Sequence, residues 1–138
     1  MSVYRDLRLP DDGRSIRLLT IEPNTDNSST VSCNLRVAAV QPGLQFEALS
    51  YCWGDPKAQE VIFVNGTQLA VTKNLSTALL ALRDSETPRT FWVDALCINQ
   101  HELAEKAFQV PLMGAIYGSA SKTVIWLGES DEKSRKAF

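Results

Sequence analysis

Thr90-Phe-Trp-Val-Asp94-Ala-Leu-Cys97-Ile-Asn99-Gln-His101 runs on through Glu105-Lys-Ala-Phe-Gln109-Val110 and closes with Thr123-Val-Ile-Trp-Leu-Gly128. The segment reads as a buried strand, a polar turn, an amphipathic helix and a second buried strand, the repeating unit of an α/β sheet. Its polar residues gather where the first strand ends and the helix begins. Open α/β sheets carry their binding and catalytic groups at that place. Upstream, Ala48-Leu-Ser50-Tyr51-Cys-Trp53-Gly-Asp55 is another apolar strand that ends in polar and aromatic residues. Two strands ending this way predict one shared site.

Working outward, Ser15 to Ile21 and Asn34 to Val40 read as strands, and Glu47 to Cys52 as a third, apolar enough to be central. Residues 22–32 are polar and read as a loop. Asn65-Gly66 between Val61–Val64 and Gln68–Val71 predicts a hairpin, because both turn residues tolerate positive φ. Asn74 is the expected N-cap of the next helix, whose Leu75, Ala78, Leu79 and Leu82 share one face. Phe91 to Leu96 and Lys122 to Leu127 read as strands. The helix between them, from about Glu102 to Tyr117, is apolar on two sides, and Pro111 should kink or divide it. The second half thus alternates strand and helix, which predicts a mostly parallel sheet flanked by helices, with the hairpin and N-terminal strands as antiparallel additions. The whole is expected to be a single domain over 1–138, cut from a longer protein, with 129–138 as the start of a truncated helix.

Composition sets limits. The chain has 138 residues, 44% hydrophobic and 22% charged, ordinary for a soluble globular domain. A net charge of -2 with scattered Lys and Arg gives no argument for nucleic acid or an anionic membrane. No apolar run approaches the roughly 20 residues a membrane span needs. Three cysteines without short spacing argue against a disulfide framework and fit a reducing cytoplasm. One histidine and no Cys-x-x-Cys argue against a metal site. Glycine-rich phosphate loops are absent, so a nucleotide would rest on helix N-termini and side chains.

Five patterns occur in order: Leu-Ser-Tyr-x-Trp-Gly-Asp from Leu49, Thr-Lys-Asn-Leu from Thr72, Trp-Val-Asp-Ala-x-Cys-Ile-Asn-Gln from Trp92, Glu-Lys-x-x-Gln-Val-x-x-Met-x-x-Ile-Tyr from Glu105, and Val-Ile-Trp-Leu-Gly from Val124. Together they resemble the fungal heterokaryon-incompatibility (HET) domain, from the Ile16–Leu19 strand to Gly128. The HET family is similar in turn to the Toll/interleukin-1-receptor (TIR) fold, a flavodoxin-like α/β sheet. In that comparison Glu47–Cys52 is the first core strand. The resemblance implies a cell-death effector that responds to fusion of unlike fungal cells, cytoplasmic, and joined to other domains of a longer receptor-like protein. It leaves two mechanisms open: an enzyme that hydrolyses NAD or a related nucleotide, or a self-associating signalling module without chemistry.

Some TIR-like domains cleave the nicotinamide–ribose bond with a glutamate near the start of the corresponding helix, which the resemblance places at Glu105. A carboxylate there could stabilise an oxocarbenium-like ribose or hold its hydroxyls. Against this stands a plain reading, in which Glu105 is solvated or forms a structural ion pair with Lys106 or a loop arginine. Asp94 could orient a ligand hydroxyl, and Asn99 could join it, or both could tie loop amides together. Ser50, Tyr51, Trp53 and Asp55 could line the pocket, with Trp53 stacked on a base, or serve packing and a turn. Trp92 and Trp126 lie inside strands and read as core. Cys97 reads as a small buried residue rather than a nucleophile served by His101, which should be exposed. No cofactor is expected, NAD entering only as a substrate.

Overall fold

Lone charges in apolar strands decide how this chain is layered. The strand β1 (Ser15–Ile21) is buried along nearly its whole length, with Ile16 and Leu18 on one face and Arg17, Leu19 and Ile21 on the other. A strand buried on both faces must lie inside a sheet covered on both sides. The computed structural model, which describes residues 3–24, 30–52, 54–127 and the backbone of 135–137, places it there.

The further elements are β2 (Ser32–Ala39), β3 (Glu47–Tyr51), β4 (Gln59–Val64), β5 (Thr67–Thr72), α1 (Lys73–Leu82), β6 (Arg89–Trp92), α2 (Asp94–Cys97), α3 (Leu103–Gln109), α4 (Met113–Ser119), β7 (Thr123–Trp126) and β8 (Arg135–Ala137). The strands form one sheet in the order β5-β4-β2-β1-β6-β3-β7-β8. β3 runs parallel to both β6 and β7, and β2 parallel to β4, whereas β1–β2, β1–β6, β4–β5 and β7–β8 are antiparallel. The sheet is therefore mixed rather than mostly parallel. Crossovers that contain helices join the parallel strands β3, β6 and β7, whereas the short β1–β2 and β4–β5 connections return the chain antiparallel.

Local chemistry accounts for most boundaries. Asn65 (φ 52) and Gly66 (φ 78) make the two-residue turn between β4 and β5. α1 buries the expected Leu75, Ala78, Leu79 and Leu82, a stripe worth about 1.5–3 kcal/mol per leucine. Its cap is Thr72, not Asn74: the Thr72 hydroxyl accepts from the Leu75 N–H at 3.2 Å. The Asn74 side-chain amide reaches back instead to the Cys52 carbonyl at 3.1 Å. It lies so close to Gly54 (φ 69) that a Cβ there would sit 2.3 Å from Asn74 Nδ2.

Two expectations, one of a strand and one of a helix, need correction. The strand predicted over Phe91–Leu96 ends at Trp92, and Asp94 opens a one-turn helix, because Cys97 and Ile98 N–H close onto the Val93 and Asp94 carbonyls. Residues 135–137 pair as a strand with β7 instead of beginning a helix, and residues 128–134 and 138 lie outside the described residues, as do 25–29 of the predicted loop. Pro111 divides the long helix: a 3-10 turn, Val110–Leu112, joins α3 to α4. Trp92 packs edge-on against Tyr117 of α4 at 5.6 Å. Trp92 shares its face with Ala48, and Tyr51, with α1 beyond it, lies on the opposite face. α1 and α4 thus cover the two sides of the parallel centre.

Candidate functional site

Arg17 is 1% exposed, and an isolated buried guanidinium is untenable without partners. It donates from Nε to the Leu7 carbonyl at 2.8 Å and from Nη1 to the Cys97 carbonyl at 3.1 Å. Its remaining bonds go to Glu105, from Nη1 to Oε2 at 2.7 Å and from Nη2 to Oε1 at 2.6 Å. The guanidinium also lies over the Tyr4 ring, 4.7 Å from its centroid. Glu105, 5% exposed, accepts a third bond from the Asn99 backbone N–H at 2.5 Å. The partner of Glu105 is thus neither Lys106 nor a loop arginine but the arginine of the central strand.

The loop between α2 and α3 holds this arrangement. Asn99 Oδ1 accepts from the His101 N–H at 3.1 Å, and the Asn99 carbonyl from the Glu102 N–H at 3.1 Å. Gln100 Nε2 donates to the Asp94 carbonyl at 2.8 Å. One helical turn on from Glu105, Gln109 is fully buried and donates to the Ser15 carbonyl at 2.8 Å.

Two cavities adjoin these groups. The larger, about 610 Å³, is lined by Glu105, Arg17, Asn99, Glu102, Arg5 and Arg8, among others. The smaller, about 220 Å³, lies at the carboxyl end of β3 and is lined by Tyr51, Leu69, Val71, Leu75 and Leu96, with Gln100 and His101. Tyr4 walls both, its hydroxyl donating to the Leu96 carbonyl at 2.7 Å.

The residues singled out in the sequence are therefore distributed. Glu105 and Asn99 line the larger cleft and Tyr51 the smaller cavity. Ser50 is half-buried in β3, opposite Ile125, and lines neither. Asp94 stands half-buried at the start of α2, where its charge adds to the burial that raises the pKa of Tyr51, Cys97 and Tyr117. Asp55 is exposed and caps a turn, its carboxylate accepting from the Lys57 N–H at 2.9 Å. Trp53 lies outside the described residues.

Burial pushes the Tyr51 hydroxyl and the Cys97 thiol each up to about 12, and Tyr4 and Tyr117 upward as well. Cys97 is buried and His101 exposed, which removes the geometry of a cysteine nucleophile. Among the described residues no group of His, Cys, Asp and Glu could hold a metal, and no helix is long and apolar enough to cross a membrane.

Sequence reasoning missed Arg17, Tyr4, Arg5 and Arg8. Arg17 carried a readable signal, a single charge inside Ile16-Arg-Leu-Leu19 that burial obliges to find an anion. The irregular segment of residues 3–9 carried none.

Comparison with known proteins places these features. The family described as heterokaryon incompatibility protein (HET) matches residues 46–138. The chain is 34% identical over 148 residues to heterokaryon incompatibility protein 6, OR allele, of Neurospora crassa, a match covering 98% of this chain. It spans only 22% of that relative's length. No solved structure matches the chain significantly.

Proposed function

This chain belongs to the heterokaryon incompatibility (HET) family, and from that premise we propose that it is the cell-death effector unit of a fungal non-self recognition protein, acting by hydrolysis of NAD or a related nucleotide in the Glu105 cleft. The observation that carries this reading is a buried carboxylate, fixed by Arg17 and the Asn99 amide, on the wall of a cleft of about 610 Å³. That volume falls in the roughly 300–1,000 Å³ range of small-molecule sites. The order of the parallel centre adds support for a TIR-like core. β6-β3-β7 places the second, first and third parallel strands side by side, the 2-1-3 arrangement of flavodoxin-like sheets.

In this reaction the C–N bond between ribose and nicotinamide breaks, and nicotinamide leaves neutral with the electron pair. The ribose is left as an oxocarbenium ion, to which water adds with loss of a proton. Glu105, its charge shared with Arg17, would act by accepting from a ribose hydroxyl at Oε1, which takes a single bond from Arg17. It is poorly placed as a general base, since both oxygens are already engaged. Joined to the other domains of a longer receptor-like protein, the unit would act in the cytoplasm, with neither nucleic acid nor membrane as partner.

A second reading has its own observation. On the α3 side of Pro111, Leu103 is 80% exposed and Val110 51%, although both belong to one of the helix's two apolar stripes. That face suits self-association, and in a purely scaffolding domain the Arg17–Glu105 pair would be structural only.

Incubation of the concentrated protein with NAD, followed by chromatography for nicotinamide, separates the two. Release by the wild type, lost in a folded Glu105→Gln variant, is the expected outcome. No release from clustered protein, with cell killing retained in Glu105→Gln, would leave the scaffold.

A further inference from the structure

Arg17 contributes little free charge to the larger cleft, because Glu105 cancels it at 2.6 Å. The uncompensated cations there are Arg5 and Arg8. Both line the cleft, both are exposed, and neither has an ion-pair or hydrogen-bond partner among the described residues. They sit on a segment that is anchored at three points. The Leu7 N–H closes a turn onto the Tyr4 carbonyl at 3.0 Å, the Leu7 carbonyl accepts from Arg17, and the Tyr4 hydroxyl bonds Leu96. The same buried arginine that fixes Glu105 therefore fixes the segment that presents two guanidinium groups beside it. Glu102 is the one exposed acid on the cleft wall, leaving an excess of positive charge where Arg5 and Arg8 stand.

We propose that Arg5 and Arg8 form a diphosphate-binding pair, and that they make the Glu105 cleft selective for nucleoside diphosphates and dinucleotides over nucleosides. This rests on the reading of that cleft as the ligand site. Two planar guanidiniums, one on this turn and one just after it, can each offer paired N–H donors to phosphate oxygens, a match that lysine does not provide. Bound so, the diphosphate anchors one end of an extended ligand, and the sugar beyond it can reach the Glu105 carboxylate. Both arginines lie before residue 46, where the family match begins, so ligand selectivity resides outside the segment the family model describes.

The test uses binding of ADP and inorganic pyrophosphate, neither of which carries the nicotinamide–ribose bond that the proposed hydrolase would break. By calorimetry, the wild type should bind both and bind adenosine far more weakly. Arg5→Ala and Arg8→Ala should each weaken ADP binding by about tenfold, as expected for loss of a charge-assisted hydrogen bond. The double variant should also flatten the salt dependence. Arg36→Ala, at an exposed position of β2 outside the cleft, is the charge-matched control and should bind as wild type. Circular dichroism and the melting temperature check that the variants remain folded. Failure of the wild type to bind ADP or pyrophosphate, or binding by the double variant as tight as wild type, overturns the proposal. Binding of ADP without any turnover of NAD would sustain it while removing the hydrolase. Turnover with KM unchanged in the double variant would do the reverse.

Discussion

Two glutamate–arginine pairs in this molecule are both bidentate, have nearly the same contact distance and set their arginine over an aromatic ring, yet they differ in burial. Arg17–Glu105 closes at 2.6 Å with side chains 1% and 6% exposed. Arg89–Glu47 closes at 2.7 Å with side chains 26% and 15% exposed, and Glu47 shares a second cation, Lys122, at 3.5 Å. Around the first pair, the Leu7 and Cys97 carbonyls, the Asn99 amide and the Tyr4 ring complete the coordination. Around the second, the Leu82 carbonyl and the Phe91 ring meet Arg89 in the same way, but both side chains keep contact with water. The lesson is that distance does not rank ion pairs: desolvation does. A buried pair need not add much net stability over an apolar substitute, yet removing one member leaves a charge that nothing can solvate.

The largest expected effect breaks the first pair. Arg17→Ala should destabilise the fold by about 3–5 kcal/mol, seen as a fall in the urea midpoint, because Glu105 is left buried and unpaired. Arg17→Met with Glu105→Leu should recover a substantial part of that loss, and a double-mutant cycle measures the coupling. If Arg17→Ala costs under about 1 kcal/mol, the contrast between the two pairs collapses. An intermediate effect is chemical. Native protein should expose one fast thiol to a disulfide reagent, Cys52, with Cys33 and Cys97 reacting only on unfolding, since burial holds both thiols up at about 12. Because the Cys97 carbonyl is an Arg17 acceptor, Cys97 should become reactive in Arg17→Ala and stay protected in Arg89→Ala. The smallest effect belongs to the second pair: Arg89→Ala should cost about 1 kcal/mol or less in the same urea titration.

How far the chain could be read in advance differs between elements. The β4–β5 hairpin, the α1 stripe, the full extent of β1 and the break at Pro111 were all legible, since each follows from residues within a few positions of one another. The buried Trp92 and Trp126 were legible for the same reason. Asn74 was misread because two cap-competent residues, Thr72 and Asn74, lie two apart. The choice was made by Cys52, 22 residues upstream, which takes the Asn74 amide. The strand through Asp94 was misread because Phe91–Leu96 is apolar in a way that suits either a strand or a buried turn of helix. The expectation of a single pocket met a geometry with two, and the wall between them is Tyr4, a residue in a segment without periodicity.

By itself, then, the sequence determined the family, the α/β class, the approximate bounds of most elements outside the Val93–Ile98 turn and before residue 128, and the buried aromatic residues, because these depend on motif order and on local periods of two and 3.6. Only the tertiary structure decided that Glu105 belongs to Arg17, that the sheet is mixed, and that residues 3–9 wall the candidate site. Arg17 and Glu105 are 88 residues apart, and Tyr4 and Leu96 are 92. No local preference encodes such pairings. They follow from burial, which removes water from a charge and obliges the folded chain to supply its partner from wherever the sheet brings one near.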